Sequence, residues 1–267
     1  CIQRRGMRST SSPRVMAATT FRPRWKRISR PLNSINSVSA VPITGRRREM
    51  AGSKMQRGRF ITIEGSEGAG KSSCLRKISA LLQQLSIEHR ITREPGGTEL
   101  AEAIRDLLLR PWAEPVQPLT ELLLLFAGRA QHIQQLIEPA LAAGIWVVSD
   151  RFTDATYAYQ GGGRAVPQSM IAQLEQLVQG ELRPDLTLFL DLPVADGLRR
   201  IDGRDGELDR FEREQIDFFE RIRACYLARS AAEPERIRRI DASAPLDQVT
   251  AAIEQTLRQA IQRWSAP

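Results

Sequence analysis

The stretch FITIEGSEGAGKSSCL, residues 60–75, decides the fold class of this chain. A short apolar run is followed by the pattern G-x4-G-K-[ST], with its fixed positions at Gly65, Gly70, Lys71 and Ser72. Such a loop between a strand and a helix lets backbone N–H groups converge on phosphate oxygens, and the helix N-terminus adds positive potential. The stretch therefore predicts a nucleoside triphosphate site.

The pattern also assigns roles within this phosphate loop. Lys71 should reach the β- and γ-phosphates of ATP, and the Ser72 hydroxyl should bind Mg²⁺. Glu67 is unexpected, because it places a negative charge where a triphosphate should bind. The predicted ATP-binding segment comprises Gly65, Ser66, Glu67, Gly68, Ala69, Gly70, Lys71 and Ser72.

Short apolar runs alternate with segments of helical spacing along the rest of the chain. The predicted strands are 60–63, 89–92, 145–149, 186–191 and 238–240. The predicted helices are 72–85, 99–109, 119–143, 168–179, 194–201, 212–231 and 246–264. This alternation predicts an α/β fold, a five-stranded parallel sheet flanked by helices in three layers. Ligands bind such sheets beyond the carboxyl ends of the strands.

The formal net charge of +8 is concentrated in the first residues of the chain. Residues 1–54 hold 13 of the 39 Lys and Arg and 1 of the 31 Asp and Glu, which leaves 26 basic and 30 acidic residues beyond them. We interpret this segment as upstream sequence before a start at Met50 or Met55; a transit peptide and a basic arm for nucleic acid are the alternatives. Each predicts a disordered extension ahead of a domain at 55–267.

Composition and missing motifs exclude several classes of protein. Three cysteines without a CxxC pair and two histidines argue against a disulfide framework or a zinc centre and favour a reducing, cytoplasmic interior. No apolar run is long enough to span a membrane. A GTPase needs an Asn-Lys-x-Asp element, but no asparagine follows Asn36. A motor ATPase needs Asp-Glu after a strand, whereas Asp191 precedes Leu192. A small-molecule kinase remains.

Five stretches make this assignment specific. In chain order they are EGSEGAGKS, TREPGGTELAEAIRDLLL, DRFTDATYAYQGGGR, RPDLTLFLDLP and GELDRFE. In these motifs, from Arg59 to Trp264, the chain resembles bacterial thymidylate kinases, members of the P-loop nucleoside monophosphate kinases. The resemblance implies transfer of the ATP γ-phosphate to dTMP with Mg²⁺, a homodimer, and neither a nucleic-acid nor a membrane partner. A kinase of another nucleotide or deoxynucleoside, and a nucleotide-dependent nucleic-acid-binding protein, remain alternatives.

The resemblance also implies an acceptor pocket for dTMP. Arg105 and Arg151 match positions that hold the acceptor phosphate. Phe126 would stack on thymine, although some family members carry the ring at the position of Leu125, and Arg129 would bind a base oxygen. The predicted dTMP-binding set is Glu67, Glu94, Arg105, Phe126, Arg129, Arg151, Thr156, Tyr159 and Gln160.

Further roles follow from the same resemblance. Thr156 and Gln160 match side chains that bond the thymine edge, so cytosine should be rejected more sharply than uracil. Tyr159 would crowd the 2′ position of the sugar. Glu67 would accept a hydrogen bond from the 3′-hydroxyl of the acceptor, and Glu94 would help to orient it.

The lid and the metal complete the predicted site. Asp150, at the end of a strand, would lie near Mg²⁺ together with Ser72. A short lid at about 200–211 would supply Arg204 and Arg210 to the transition state, because the phosphate loop contains no arginine. The predicted catalytic residues are Lys71, Arg151, Arg204 and Arg210. Arg200 and the segment 241–243 are candidates for contact with adenine.

Overall fold

The computed structural model describes residues 56–202, 209–212 and 214–265. Within them lies one sheet of five parallel strands in the order β2-β3-β1-β4-β5. The strands are β1 (Phe60–Glu64), β2 (His89–Arg93), β3 (Trp146–Asp150), β4 (Leu186–Asp191) and β5 (Ile237–Asp241). Every predicted strand is present to within one residue at either end, and the predicted fold class is confirmed.

The burial of each strand follows from its place in the sheet. All residues of β1 and β4 are buried, because β1 is central, β4 is its neighbour, and helices cover both faces. The edge strands β2 and β5 are instead partly exposed and carry basic side chains. The phosphate loop therefore leaves the sheet at the carboxyl end of its fully buried central strand.

Helices surround the sheet in chain order. They are α1 (Lys71–Gln84), α2 (Glu99–Leu109), α3 (Pro118–His132), α4 (Glu138–Ala142), α5 (Thr153–Thr156), α6 (Gln168–Gln179), α7 (Val194–Asp202), α8 (Ile216–Ala232) and α9 (Leu246–Ser265). π-helical turns at Ile133–Ile137 and Tyr157–Gly163 continue α3 and α5. The predicted helix at 119–143 corresponds to α3, the first π turn and α4 in series.

The sequence prediction was wrong at two places, the start of the helix predicted at 212–231 and the segment that follows β3. The helix predicted at 212–231 starts only at Ile216, because the Asp209 carboxylate accepts hydrogen bonds from the N–H groups of Phe211 and Glu212 and holds a turn there. The second case is α5 with its π turn, which was not predicted. Three consecutive glycines obscure the helical character of that segment.

Both faces of the sheet pack tightly. On one face, α1 and α9 contribute Ile78, Leu82 and Ile253 to a cluster that also contains residues of β1 and β4. On the other, Phe219 of α8 packs in a cluster with Phe189 of β4. No helix within the described ranges combines the length and apolarity needed to cross a bilayer.

Candidate active site

The phosphate loop has the backbone geometry that its glycines predict. Gly68 and Gly70 have φ angles of 75° and 87°, in the left-handed region that glycine adopts readily. A side chain at Gly68 would also lie only 2.4 Å from the carbonyl oxygen of Gly197. The Nζ of Lys71 donates to the carbonyl oxygens of Gly65 and Ser66 at 3.0 and 2.9 Å, so the lysine bridges the loop.

A cavity lies beside the phosphate loop, at the carboxyl ends of the strands. It encloses about 560 Å³ of empty space, part of which is open to solvent. Eight of the nine predicted dTMP-binding residues line it, all but Phe126. Its lining comprises Glu67, Glu94, Pro95, Arg105, Leu109, Leu125, Arg129, Arg151, Phe152, Ala155, Thr156, Tyr159, Gln160, Asp209 and Phe211.

The acidic residue of the phosphate loop turns toward this cavity. The Nη2 of Arg151 donates to Glu67 Oε1 at 2.6 Å, and the Tyr159 hydroxyl donates to Glu67 Oε2. Burial acts to raise the pKa of Glu67, but the charges of Arg151 and Lys71 hold that pKa below its usual value. The carboxylate is therefore ionised, and it is held on the acceptor side of the loop.

Two guanidinium groups, of Arg105 and Arg151, line the same cavity. Burial and then the positive charges of Arg93 and Arg151 hold the pKa of Arg105 below its usual value. The buried Nε of Arg151 has no hydrogen-bond partner among the described residues. Two cations that repel each other, one with an unused donor, make a site for an anion such as a phosphate monoester.

Asp150 and Ser72 can be tested as ligands of a metal ion. The buried Oδ1 of Asp150 has no partner within the described ranges, and Ser72 is exposed at the start of α1. These residues fit Mg²⁺, which is usually held by one or two protein oxygens together with substrate phosphates and water. In the part of the chain that the structure describes, no group of three or more His, Cys, Asp and Glu is arranged to hold a metal ion.

Buried polar contacts fix Arg129 at the far end of the cavity. Its Nε donates to Glu94 Oε2 at 2.7 Å and its Nη2 to the Thr156 hydroxyl at 2.8 Å. The other oxygen of Glu94 lies 3.0 Å from His132 Nδ1. Burial acts to raise the pKa of Glu94, but the charge of Arg129 and the hydrogen bond from His132 hold it below its usual value. Glu94 thus orients Arg129.

The structure corrects the assignment of Phe126 as the stacking platform. Only 2% of its surface is exposed, and its ring packs with Leu122, Tyr157 and other core residues. Leu125 lines the cavity in its place. Adjacent helical residues point about 100° apart, and the rotation of α3 turns Leu125 rather than Phe126 toward the cavity. Phe126 instead supports Arg129, whose guanidinium carbon lies 4.8 Å from the centre of its ring.

The lid was predicted to supply Arg204 and Arg210. Arg204 lies outside the described residues. Arg210 donates from Nη2 to Glu121 Oε2 at 2.6 Å and from Nε to the carbonyl oxygen of Leu108 at 2.9 Å. A role at the transferred phosphate would require these bonds to open, so the catalytic role of Arg210 stays a prediction.

Arg200 approaches the phosphate loop from α7. It donates to the carbonyl oxygens of Gly68 and Ala242, each at 3.2 Å. The side chain therefore joins the loop to the segment after β5 that was predicted to contact adenine.

Sequence reasoning missed several residues at the cavity or directly behind it. Glu121 and His132 are polar residues on a helix with many apolar neighbours. That position is a signal in the sequence, because a polar side chain buried there needs a hydrogen-bond partner. Asp209 and Phe211 lie in the quoted GELDRFE motif but were not assigned to the acceptor pocket. The position of Leu125 was considered only as an alternative.

Comparisons with known proteins agree with this geometry. The family model described as thymidylate kinase matches residues 63–253. A thymidylate kinase of Alkalilimnicola ehrlichii is 54% identical over 210 residues, 79% of this chain and 97% of that protein. One of Ectopseudomonas mendocina is 58% identical over 200 residues, 75% of this chain and 95% of that protein. The crystal structure of thymidylate kinase from Ehrlichia chaffeensis matches with a TM-score of 0.61 and 30% identity, covering 76% of this chain and 99% of that one.

Proposed function

This chain belongs to the thymidylate kinase family and is a phosphotransferase, and we propose that it transfers the γ-phosphate of ATP to the 5′-phosphate of dTMP, giving dTDP and ADP. One observation carries the assignment of an acceptor that bears a phosphate. Arg105 and Arg151 line a single cavity beside the phosphate loop, and Arg151 keeps a buried N–H without a partner among the described residues.

The chemistry requires little more than alignment and neutralisation of charge. ATP binds with its phosphates against Lys71 and the backbone of the loop, and the segment next to Arg200 receives adenine. Arg105 and Arg151 bind the phosphate of dTMP and hold it toward the γ-phosphate. Two anions can approach each other there because the guanidinium groups offset their repulsion.

The opposite end of the cavity would bind the thymine base. Arg129 donates to a base oxygen, and Thr156 and Gln160 bond the base edge. Leu125 provides an apolar wall in the position first assigned to an aromatic ring. Tyr159 and Glu67 contact the sugar: the ring of Tyr159 crowds the 2′ position, and the carboxylate accepts a hydrogen bond from the 3′-hydroxyl.

The metal and the lid complete this proposal. Ser72 and Asp150 would hold Mg²⁺, Asp150 through water, and the bound ion would neutralise charge on the phosphates. Arg204 and Arg210 would act from the lid and exclude water when the lid closes. Water exclusion matters because an open site would hydrolyse ATP.

Two further expectations concern the whole protein. Exposed Leu119 and Leu123 of α3, together with exposed Leu177 of α6, form apolar surface on two helices that pack against each other. This surface supports a homodimer. The cytoplasmic location predicted from cysteine usage stays a prediction.

A panel of acceptors tests the proposed function directly. With ATP and Mg²⁺, we expect rapid formation of ADP with dTMP, slower turnover with dUMP, much slower but measurable turnover with dCMP, and none with thymidine. Turnover of thymidine but not of dTMP would instead identify a nucleoside kinase. Tight binding of DNA by the full chain but not by residues 55–267, without kinase activity, would support a nucleic-acid-binding protein.

A further inference from the structure

Glu121 is a fully buried carboxylate next to the acceptor pocket that the proposed mechanism does not use. It lies on α3, one helical turn before Leu125, and 0% of its side chain is exposed. Its Oε1 accepts a hydrogen bond from Gln160 Nε2 at 2.8 Å, and its Oε2 accepts one from Arg210 Nη2 at 2.6 Å. Arg164 approaches Oε1 at 3.5 Å.

This arrangement fixes which end of the Gln160 amide meets a ligand. A carboxylate paired with a guanidinium group can only accept hydrogen bonds, so the NH₂ group of Gln160 must be the end that contacts Glu121. The other end of the amide, Oε1, accepts no hydrogen bond from any residue that the structure describes. Gln160 lines the cavity, and its carbonyl oxygen is thus the atom left for a bound base.

We propose that Glu121 is a positioning residue for base specificity: it holds the Gln160 amide so that only its carbonyl oxygen is offered to the base. This inference rests on the proposed function. A carbonyl oxygen suits a pyrimidine with an N–H at ring position 3, as in thymine and uracil. It repels cytosine, whose ring nitrogen at that position is also an acceptor. A buried acceptor left without a donor is costly, which makes the discrimination strong.

Arg210, which lies within the predicted lid at about 200–211, secures this arrangement. A buried carboxylate without a partner would be strongly destabilising, and Arg210 supplies the counter-charge. Arg210 is itself held by the carbonyl oxygen of Leu108, at the end of α2. Its neighbours Asp209 and Phe211 line the cavity. The docking of this segment and the orientation of Gln160 therefore depend on the same carboxylate.

The substitution Glu121→Gln tests the proposal, because it keeps the shape of the side chain but adds a donor. Once the side chain at this position can donate, the Gln160 amide can turn and offer its NH₂ group to the base. We expect kcat/KM for dTMP to fall and the ratio of kcat/KM for dTMP over dCMP to drop by about ten- to a hundredfold. The KM for ATP should not change. A wild-type ratio in this variant would overturn the proposal.

A matched control is Glu175→Gln. Glu175 is also buried; it accepts from the Tyr157 hydroxyl at 2.7 Å and pairs with Arg183, but it does not line the cavity. Its loss should lower thermal stability and leave the dTMP/dCMP ratio unchanged. An equal drop of that ratio in the control would also overturn the proposal.

Failure of this proposal can be distinguished from failure of the proposed function. Activity of the wild type on dTMP tests the function, whatever Glu121 does. If Glu121→Gln does not fold, Glu121→Asp retains the charge but retracts it from Gln160. That variant should lower the dTMP/dCMP ratio by a smaller factor, and an unchanged ratio in a folded Glu121→Asp protein would refute the role of Glu121.

Discussion

Arg151 and Glu67 form an ion pair across the carboxyl ends of two neighbouring strands, with 2.6 Å between Arg151 Nη2 and Glu67 Oε1. The same Nη2 donates to the Tyr159 hydroxyl at 2.8 Å. Arg151 has a φ of 69°, unusual for a residue with a side chain, and its N–H donates to the carbonyl oxygen of Ile63. The acidic residue thus anchors the arginine that we assign to the acceptor phosphate, which explains a negative charge in a phosphate loop.

Glu67→Gln should therefore impair use of dTMP far more than binding of ATP. The amide loses the charge that pairs with Arg151, and it would weaken the hydrogen bond that we propose with the acceptor 3′-hydroxyl. Hydrogen bonds to charged groups contribute about 1.5–3 kcal/mol, so we expect kcat/KM for dTMP to fall about ten- to a hundredfold. Steady-state kinetics with each substrate varied in turn measure the effect. An equal loss for ATP would assign Glu67 to the ATP side.

The 3′-deoxy analogue of dTMP isolates the contact of Glu67 with the sugar. In the wild type the analogue should be a poorer acceptor than dTMP, because the carboxylate loses its partner. In Glu67→Gln that difference should shrink, since the two changes remove the same hydrogen bond. If Glu67→Gln keeps the full difference between dTMP and its 3′-deoxy analogue, Glu67 acts only through Arg151.

Substitution of Leu125 should mainly affect the KM for dTMP, whereas substitution of Phe126 should mainly affect stability. Leu125→Ala removes a cavity wall and should raise the KM for dTMP with a small loss of stability. Phe126→Ala creates a hole in the core and should lower the free energy of unfolding by about 3–5 kcal/mol. Urea unfolding and steady-state kinetics on both variants separate the two. A third variant, Phe126→Leu, tests the alternative. If it raises the KM for dTMP more than Leu125→Ala does, Phe126 contacts the base.

Strands, long helices and the phosphate loop could be predicted because each rests on local pattern. The apolar runs of β1 and β4 are buried on both faces, and Gly68 and Gly70 stand where the backbone turns into the left-handed region. Local pattern was sufficient for these features. The roles of Arg105 and Arg151 at the acceptor phosphate came from the resemblance to thymidylate kinases and stay predictions, although Arg151 also directly follows a strand at the ligand-binding edge.

The choice between Leu125 and Phe126 could not be made from the sequence, because it depends on the rotation of α3 about its axis. That rotation is set by contacts from distant parts of the chain, such as Tyr157 and Ile171 around Phe126. Glu121 gave a signal as a carboxylate within an apolar helix, but its partners could not be identified from the sequence. Its partners Gln160 and Arg210 are 39 and 89 residues away along the chain.

His132 should affect binding of dTMP although it does not line the cavity. Its Nδ1 lies 3.0 Å from Glu94 Oε1, and its Nε2 lies 2.7 Å from the Thr92 hydroxyl. Because Glu94 is ionised, Nδ1 must be the donor, and Glu94 in turn holds Arg129. His132→Leu should raise the KM for dTMP about tenfold, the cost of a lost hydrogen bond to a charged group, without changing the KM for ATP.

His132→Asn is the matched control for this relay. The asparagine amide can donate from near the position of Nδ1, so it should recover most of the affinity for dTMP that His132→Leu loses. Kinetics of the two variants, together with their melting temperatures, check the prediction. If both raise the KM for dTMP equally at equal stability, the relay through Glu94 does not operate.

Glu64 links the stability of the fold to pH. It is fully buried at the end of β1, accepts from the N–H of Phe152 at 2.7 Å, and lies 2.8 Å from the Tyr226 hydroxyl. Burial, and then the negative charge of Asp154, raise its pKa from 4.5 to about 8. Between these values the folded protein keeps a proton that the unfolded chain releases. The contribution of Glu64 to stability is therefore full below about pH 4.5 and is lost as pH rises toward 8.

Glu64→Gln should remove this dependence. The amide oxygen can accept from Phe152 N–H and its NH₂ group can donate to the Tyr226 hydroxyl, so the contacts of the protonated acid are preserved without a titrating group. Urea unfolding of both proteins from pH 5 to pH 8 measures the effect. The stability of the variant relative to the wild type should grow with pH, by up to about 1.4 kcal/mol per pH unit. The comparison cancels the titrating groups that do not interact with Glu64, so parallel curves would mean that Glu64 is already ionised in the folded protein at pH 5.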